Sequence, residues 1–423
     1  MQTLWLQIDT TSMKNLKIIF IVFAFCISNV WAGDVEDADA ALAKKDYATA
    51  LKKYKLAAAK NNAYAQLRIG VIYDEGMGVK QDYSEAIRWY KLAAARGQVN
   101  AQLILAVMYD NGESVAQDYV EAVRWYKLAA VQGNAMAQFR LALKYETGQG
   151  VAQDNAESVR LYKLAAAQGD VSAQINLAYK YVAGKSVVQD YAEAVYWYKL
   201  AASQGDATAQ SNLAIMYEFG KGVQQDYLEA IRLHKLAAAQ NNAKSQFNLG
   251  DMYGNGRGVV QDYDEAARWY KLAASQGLDK AQFSLAEMYE FGKGFQQDYV
   301  EAMRWHKLAA AQGNATSQFN IGNMYGEGLG VVQDYVEAVR WYKLAASQGN
   351  VNSQTNLAIM YYKGQGVAQD YVRAHMWLNL SSAINNEFKK RRDIVASKMT
   401  TLQIAEAQKL ARECQARNFT NCD

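Results

Sequence analysis

The amino-acid sequence predicts an all-α protein, an α/α solenoid of stacked helix pairs, and three observations carry that reading. The dipeptide Gln-Asp recurs with its Asp at 82, 118, 154, 190, 226, 262, 298, 334 and 370, an unbroken period of 36 residues. Each period holds two stretches whose apolar residues recur at helical spacing, with a glycine-bearing loop between them. Proline is absent from all 423 residues, so only glycine and capping side chains end a helix. A helix pair of this kind has an apolar face that it cannot bury alone, so neighbouring pairs must stack.

Composition bounds the function. Hydrophobic content of 51% with 21% charged residues is that of a folded chain and excludes global disorder. Lys+Arg 45 against Asp+Glu 42 leaves +3, too balanced for a general nucleic-acid binder. Three cysteines exclude a dense disulfide scaffold and a multi-cysteine zinc domain. Three histidines leave little material for metal or acid–base chemistry. No cofactor and no metal are expected.

The elements follow in order. Residues 1–32 read as a Sec-type signal peptide: Met13-Lys14-Asn15-Leu16-Lys17 is a short basic start, and Ile18 to Ile27 is an apolar run. Val30-Trp31-Ala32 then places small residues before a cut at Gly33. Met13, rather than Met1, would start the basic region directly. The apolar run is too short to span a bilayer, and no integral membrane segment is expected in the mature chain. The protein is therefore expected in the periplasm or secreted. Residues 33–61 form an N-terminal cap, a shortened unit in which Ala40-Ala41-Leu42 leads to Asp46-Tyr47 without a glycine loop. Residues 62–386 are nine repeats, and 387–423 hold two capping helices, near 386–398 and 401–416, and a tail. Thr400 and Gln403 open the last helix.

Within the first repeat, Ala65, Ile69, Ile72 and Tyr73 make the apolar stripe of the first helix, and Gly76 ends it. Asp82 stands three residues before Glu85, a capping-box arrangement that opens the second helix. Tyr83, Ala86, Ile87, Tyr90, Ala93 and Ala94 form its buried stripe, Glu85 faces Arg88, and Gly97 stops it.

This pattern resembles the Sel-1-like repeat family, relatives of the tetratricopeptide repeats. The resemblance rests on Ala65-Gln66-Leu67-Arg68-Ile69-Gly70-Val71-Ile72-Tyr73, on Gly76-Met77-Gly78-Val79, and on Glu85 through Ala94. It covers about three quarters of the chain. It implies a right-handed superhelix with a concave face and an interaction role, without naming a partner.

Chemistry-bearing residues are few. His234 and His306 replace the tyrosine of most second helices, and core packing is their expected role; His375 lies in the last unit. Gly184-Lys185-Ser186 is not a phosphate loop, because Tyr179 stands where that loop needs glycine. No nucleophile–base pair stands out, so no catalytic residue is assigned. In an oxidising compartment Cys414 and Cys422 are expected to pair and pin the tail, with two free thiols as the alternative.

By resemblance to tetratricopeptide repeats, one row of the first helices faces the groove: Asn176, Asn212, Asn248, Asn320 and Asn356. Their amides could bond the main chain of an extended peptide. Phe247, Phe283 and Phe319 stand beside that row, and Asp251 and Glu287 one turn on, favouring a basic ligand. Inter-repeat packing of the same Asn and Phe is the other reading, and the sequence leaves both open. The expected partner is a protein or extended peptide held by a non-catalytic scaffold. The alternative is an envelope enzyme or cell-wall-fragment binder; the cysteine-rich secreted proteins that resemble this family and act as weak β-lactamases carry a cysteine pair in every repeat, and these nine units carry none.

Overall fold

The computed structural model describes residues 32–381, 386–420 and 422, and these residues form twenty-two α-helices and no strand. The signal-peptide expectation, apart from Ala32, falls outside the described residues. The chain divides into two compact units, Met1–Ala165 and Ala166–Asp423.

In the first unit the helices are α1 (Ala32–Ala43), α2 (Tyr47–Ala59), α3 (Ala63–Glu75), α4 (Tyr83–Ala95), α5 (Val99–Asn111), α6 (Tyr119–Val131), α7 (Ala135–Thr147) and α8 (Asn155–Ala167), the last as far as Ala165. The pair α1 and α2 is the short N-terminal cap, joined by a turn rather than a glycine loop. The second unit holds α9 (Val171–Ala183), α10 (Tyr191–Ser203), α11 (Ala207–Phe219), α12 (Tyr227–Ala239), α13 (Ala243–Asn255), α14 (Tyr263–Ser275), α15 (Asp279–Phe291) and α16 (Tyr299–Ala311). It continues with α17 (Ala315–Glu327), α18 (Tyr335–Ala346), α19 (Val351–Lys363), α20 (Tyr371–Ser381), α21 (Asn386–Ala396) and α22 (Thr401–Ala416). Within each unit, first helices pack on their own second helix and on the second helix before it, for instance α3 on α4 and on α2 in the first unit and α13 on α14 and on α12 in the second. That succession is an α-solenoid.

The Gln-Asp pair is the hinge of every repeat. In α3 and α4 the Gln81 side chain donates to the Asp74 carbonyl at 2.6 Å, and the Asp82 N–H donates to the Tyr73 carbonyl at 3.0 Å. Two carbonyls left open at the end of the first helix are thereby satisfied. The Asp82 carboxylate then caps α4 by accepting from the Glu85 N–H at 3.0 Å. The reciprocal half of a capping box is not made: Glu85 turns to Arg88, at 2.6 and 2.9 Å, and to the Trp89 indole at 2.8 Å. A complete box forms only at α22 among the described caps, between Thr400 and Gln403.

The loop also fixes how closely repeats approach. Gly150 has φ +71°, and a Cβ placed there would lie 2.1 Å from the Tyr119 carbonyl oxygen of the preceding repeat. The core of the second helices is alanine and tyrosine: Ala86, Ala93 and Tyr90 are wholly buried, while Tyr83, expected in that stripe, is 41% exposed. Alanine lets helices come close, and the tyrosine ring fills what remains.

From the second repeat on, a buried glutamine joins a repeat to the one before. Gln246 donates to the Ala238 carbonyl at 3.3 Å and accepts from Gln276 at 2.7 Å; Gln318 does the same with Ala310 at 3.2 Å and Gln348 at 2.8 Å. At the C-terminal end, Ala407, Ala411 and Cys414 of α22 cover Met376, Trp377 and Leu378 of α20. Cys414 and Cys422 are joined by a disulfide.

Candidate binding face of the first helices

A helix repeats every 3.6 residues, so residues at i, i+4, i+7 and i+11 share one face. On α13 that face is Lys244, Asn248, Asp251 and Asn255; on α15 it is Lys280, Ser284, Glu287 and Phe291. In both helices the outer two are exposed and the middle two half-buried, and the same holds for Thr316, Asn320, Asn323 and Glu327 of α17. This is the open face of the first helices, and its residues change in charge and size from repeat to repeat, while the buried positions of Gln66 and Ile69 stay glutamine and leucine or isoleucine throughout.

The asparagine row lies at its half-buried centre, and most of its amides bridge repeats. Asn248 reaches His234 Nε2 and Asn320 reaches His306 Nε2, each at 3.4 Å, on the second helix just before. Asn212 faces Tyr198, and Asn356 faces Tyr342 and donates to Asn323 Oδ1 at 3.1 Å. Asn176 instead donates to the Ser172 carbonyl of its own helix at 2.8 Å. The phenylalanines turn towards their own repeat: Phe247 packs on Tyr270 at 5.7 Å, Phe283 on His306 at 5.9 Å and Phe319 on Tyr342 at 6.2 Å between ring centroids. These contacts follow the packing alternative that the sequence left open; their partners, from 4 to 33 residues away in chain, could not be named from spacing alone.

The same second-helix rings meet an acceptor on the first helix of their own repeat. Tyr90 donates to Asp74 at 3.2 Å, Tyr126 to Asp110 at 3.2 Å and Tyr162 to Glu146 at 2.8 Å. Burial and these carboxylates hold the three phenols far above their ordinary pKa. Where glycine occupies the acceptor position, at Gly254 and Gly326, the acceptor moves back one turn: Tyr270 donates to Asp251 at 2.6 Å and Tyr342 to Asn323 at 2.8 Å. Asp251 is thus engaged, with Arg257 at 3.9 Å beside it. Glu287, the other half of the expected acidic pair, has no hydrogen bond or ion pair among the described residues; its carboxyl is raised by burial and by Glu290.

The two histidine interfaces add residues that the sequence reading passed over. His234 is wholly buried, with Nδ1 3.1 Å from Ser245 Oγ and Nε2 4.0 Å from Glu218 Oε2. Burial holds its pKa at about 4. Glu218 is itself raised by burial, against the pull of Arg257, which meets it at 2.5 Å. His306 repeats the arrangement, with Ser317 at 3.3 Å and Glu290 at 3.2 Å. Ser, His and Glu in contact suggest a hydrolytic set, yet both serines are wholly buried and no substrate can reach their hydroxyls. They serve the imidazole. Most first helices carry alanine there, and serine follows each of the two histidines; Ser353 follows Tyr342 instead, and its hydroxyl has no partner among the described residues. That coincidence was a signal available in the sequence.

Paired helices, a recurrent hinge and polar bridges between successive repeats define the class as an α-solenoid. The Sel1 repeat model matches nine consecutive stretches: 63–98, 99–134, 135–170, 171–206, 207–242, 243–278, 279–314, 315–350 and 351–386. The chain belongs to the Sel1 repeat family, whose members are generally protein-interaction scaffolds. It is similar to a Sel1 repeat protein from Oxalobacter formigenes, with 31% identity over 81% of this chain and 99% of that one and a TM-score of 0.61. It is also similar to a protective antigen of uropathogenic Escherichia coli strains that displays an SLR fold, with 32% identity over 88% of this chain and 96% of that one and a TM-score of 0.43. No curated protein matches it. Among the described residues no helix is long and apolar enough to cross a membrane.

Proposed function

We propose that this chain is an exported scaffold that holds an extended segment of a protein partner on the open faces of its first helices, and that it acts by binding rather than by catalysis. The observation that carries this reading is the contrast within each first helix. The buried positions of Gln66 and Ile69 keep glutamine and leucine or isoleucine in all nine repeats, whereas the half-exposed face changes its charge and size from repeat to repeat. The asparagine row keeps some capacity for a peptide main chain, because a side-chain amide has more donors and acceptors than one bridge uses. Export rests on the basic start at Met13, the apolar run to Ile27 and the cut before Gly33.

Photo-crosslinkers placed at Tyr179 and Asn323 test the groove against crosslinkers placed at Arg268 and Arg340 on second helices. A partner captured from the native envelope by the first pair alone supports the reading. Equal capture by both pairs overturns it. Replacing residues of Ile18–Ile27 by charges should abolish activity of an export-dependent reporter, and the mature protein should not turn over nitrocefin.

A further inference from the structure

Building on the scaffold reading, we propose that α13 and α15 select a partner segment by an ordered pattern: an acidic side chain, then a basic one about three residues on, then an apolar one about two residues further. Three features of one face carry this.

First, Lys244 and Lys280 hold the same place on adjacent first helices, and both are exposed. Neither makes an ion pair among the described residues, and the other repeats have no lysine there. The Lys244 ammonium is held below the ordinary lysine range by loss of water and by Lys280. Two adjacent unpaired ammonium groups call for an anion.

Second, Glu287 is the unmatched charge of opposite sign, seven residues along α15 from Lys280. Its neighbours are committed: Asp251 accepts from Tyr270, and Glu290 meets His306. Lys293 attracts Glu287 without pairing with it, and its ammonium lies 5.5 Å from the Tyr263 ring centroid. Third, Phe291 follows Glu287 by one turn on the same face and is 60% exposed, where six of the other repeats carry a polar or charged residue or threonine. An exposed aromatic ring beside an unsatisfied carboxylate suits an apolar side chain next to a basic one.

The spacing follows from helix geometry. Seven residues of α-helix rise about 10 Å and four rise about 6 Å. An extended chain advances about 3.3 Å per residue, so the matching groups on a peptide lying along the helix are about three and about two residues apart. A polyanion such as nucleic acid would satisfy the lysines and be repelled by Glu287. A peptide carrying both signs satisfies all three features.

The test uses the mature protein and two labelled peptides on a Gly/Ser background. One has the order Glu-x-x-Lys-x-Leu, and the other exchanges its Glu and Lys. Fluorescence anisotropy should show the first binding at least ten-fold tighter, with the preference fading as salt rises. Glu287→Gln and Lys244→Gln with Lys280→Gln should each erase most of that preference, and Phe291→Ala should weaken both peptides. Phe219→Ala, two repeats away, should change neither. A double variant, Lys280→Glu with Glu287→Lys, should prefer the exchanged peptide, provided that circular dichroism shows it folded. Equal binding of both peptides, or equal loss from Phe219→Ala, overturns the inference. Partner crosslinking through Tyr179 and Asn323 in that same case leaves the scaffold reading standing.

Discussion

At Tyr198 a phenol faces the asparagine of the next repeat, and at His234 an imidazole takes that place, a group that the unfolded chain protonates near pH 6.5 and the fold resists protonating. The sign of the pH effect follows from the depressed pKa. The unfolded imidazole binds a proton as pH falls through about 6.5 and the folded one only near 4, so stability is full above the first value and drains away between the two. Each pH unit in that window costs up to about 1.4 kcal/mol. Glu218, raised by burial, takes up a proton more readily in the folded state and offsets part of this loss. The double variant His234→Tyr with Ser245→Ala restores the pairing used elsewhere; its melting temperature should fall less than that of the native protein between pH 6.5 and 4. An identical fall in both proteins would place the acid sensitivity elsewhere. The buried glutamines act at the same scale. Gln318→Ala leaves the Ala310 carbonyl and the Gln348 amide without their partner and should cost about 1–3 kcal/mol in denaturant unfolding. Gln297, whose side chain makes its bonds at the exposed surface, should cost less when changed to alanine.

At the scale of the helix, the boundaries were legible because the chain spells them in two residue types. Glycine in the left-handed conformation ends each first helix, as at Gly256 with φ 66°, and aspartate opens the second, as at Asp262, which accepts from the Glu265 N–H at 2.9 Å. Asp262→Ala should therefore destabilise the protein by about 0.5–2 kcal/mol, and Asp262→Asn should recover most of it; thermal melts of the two variants decide. The glutamate three residues later looked like the reciprocal half of that cap. Its side chain had a stronger offer from the arginine one turn on, and Glu265 meets Arg268 at 3.3 Å. The candidate face was legible only in part. Its periodicity marked the asparagine row, but spacing along one helix does not reveal what the preceding helix presents, and the imidazoles facing Asn248 and Asn320 come from there. Phe291 escaped notice because it closes a helix, where an apolar residue reads as a continuation of the core stripe; the structure leaves it open to solvent.

For the molecule, contacts between neighbouring repeats predict unfolding that is broad or stepwise rather than a single sharp transition, in a protein whose circular dichroism is that of helix alone. A single cooperative transition with coincident probes would contradict this. The C-terminal cap adds a closed loop between Cys414 and Cys422 that pins Phe419 against the last hydrophobic cluster. Reducing that bond should lower stability by about 2–3 kcal/mol and destabilise the last helices first; an unchanged melt in reductant would show that packing alone holds the tail. The pairing of Ser245 with His234 also decides where this chain can be cut. Excising 243–278 keeps the 36-residue frame, yet it sets His234 against Ala281 and strips the imidazole of its hydroxyl. Excising 243–314 together with Leu329→Arg removes twice as much, yet brings Ser317, Asn320 and an arginine for Glu218 to the places of Ser245, Asn248 and Arg257. The longer deletion should be the better tolerated, which makes the tandem of two repeats, rather than the single repeat, the natural increment by which this part of the protein can lengthen or shorten.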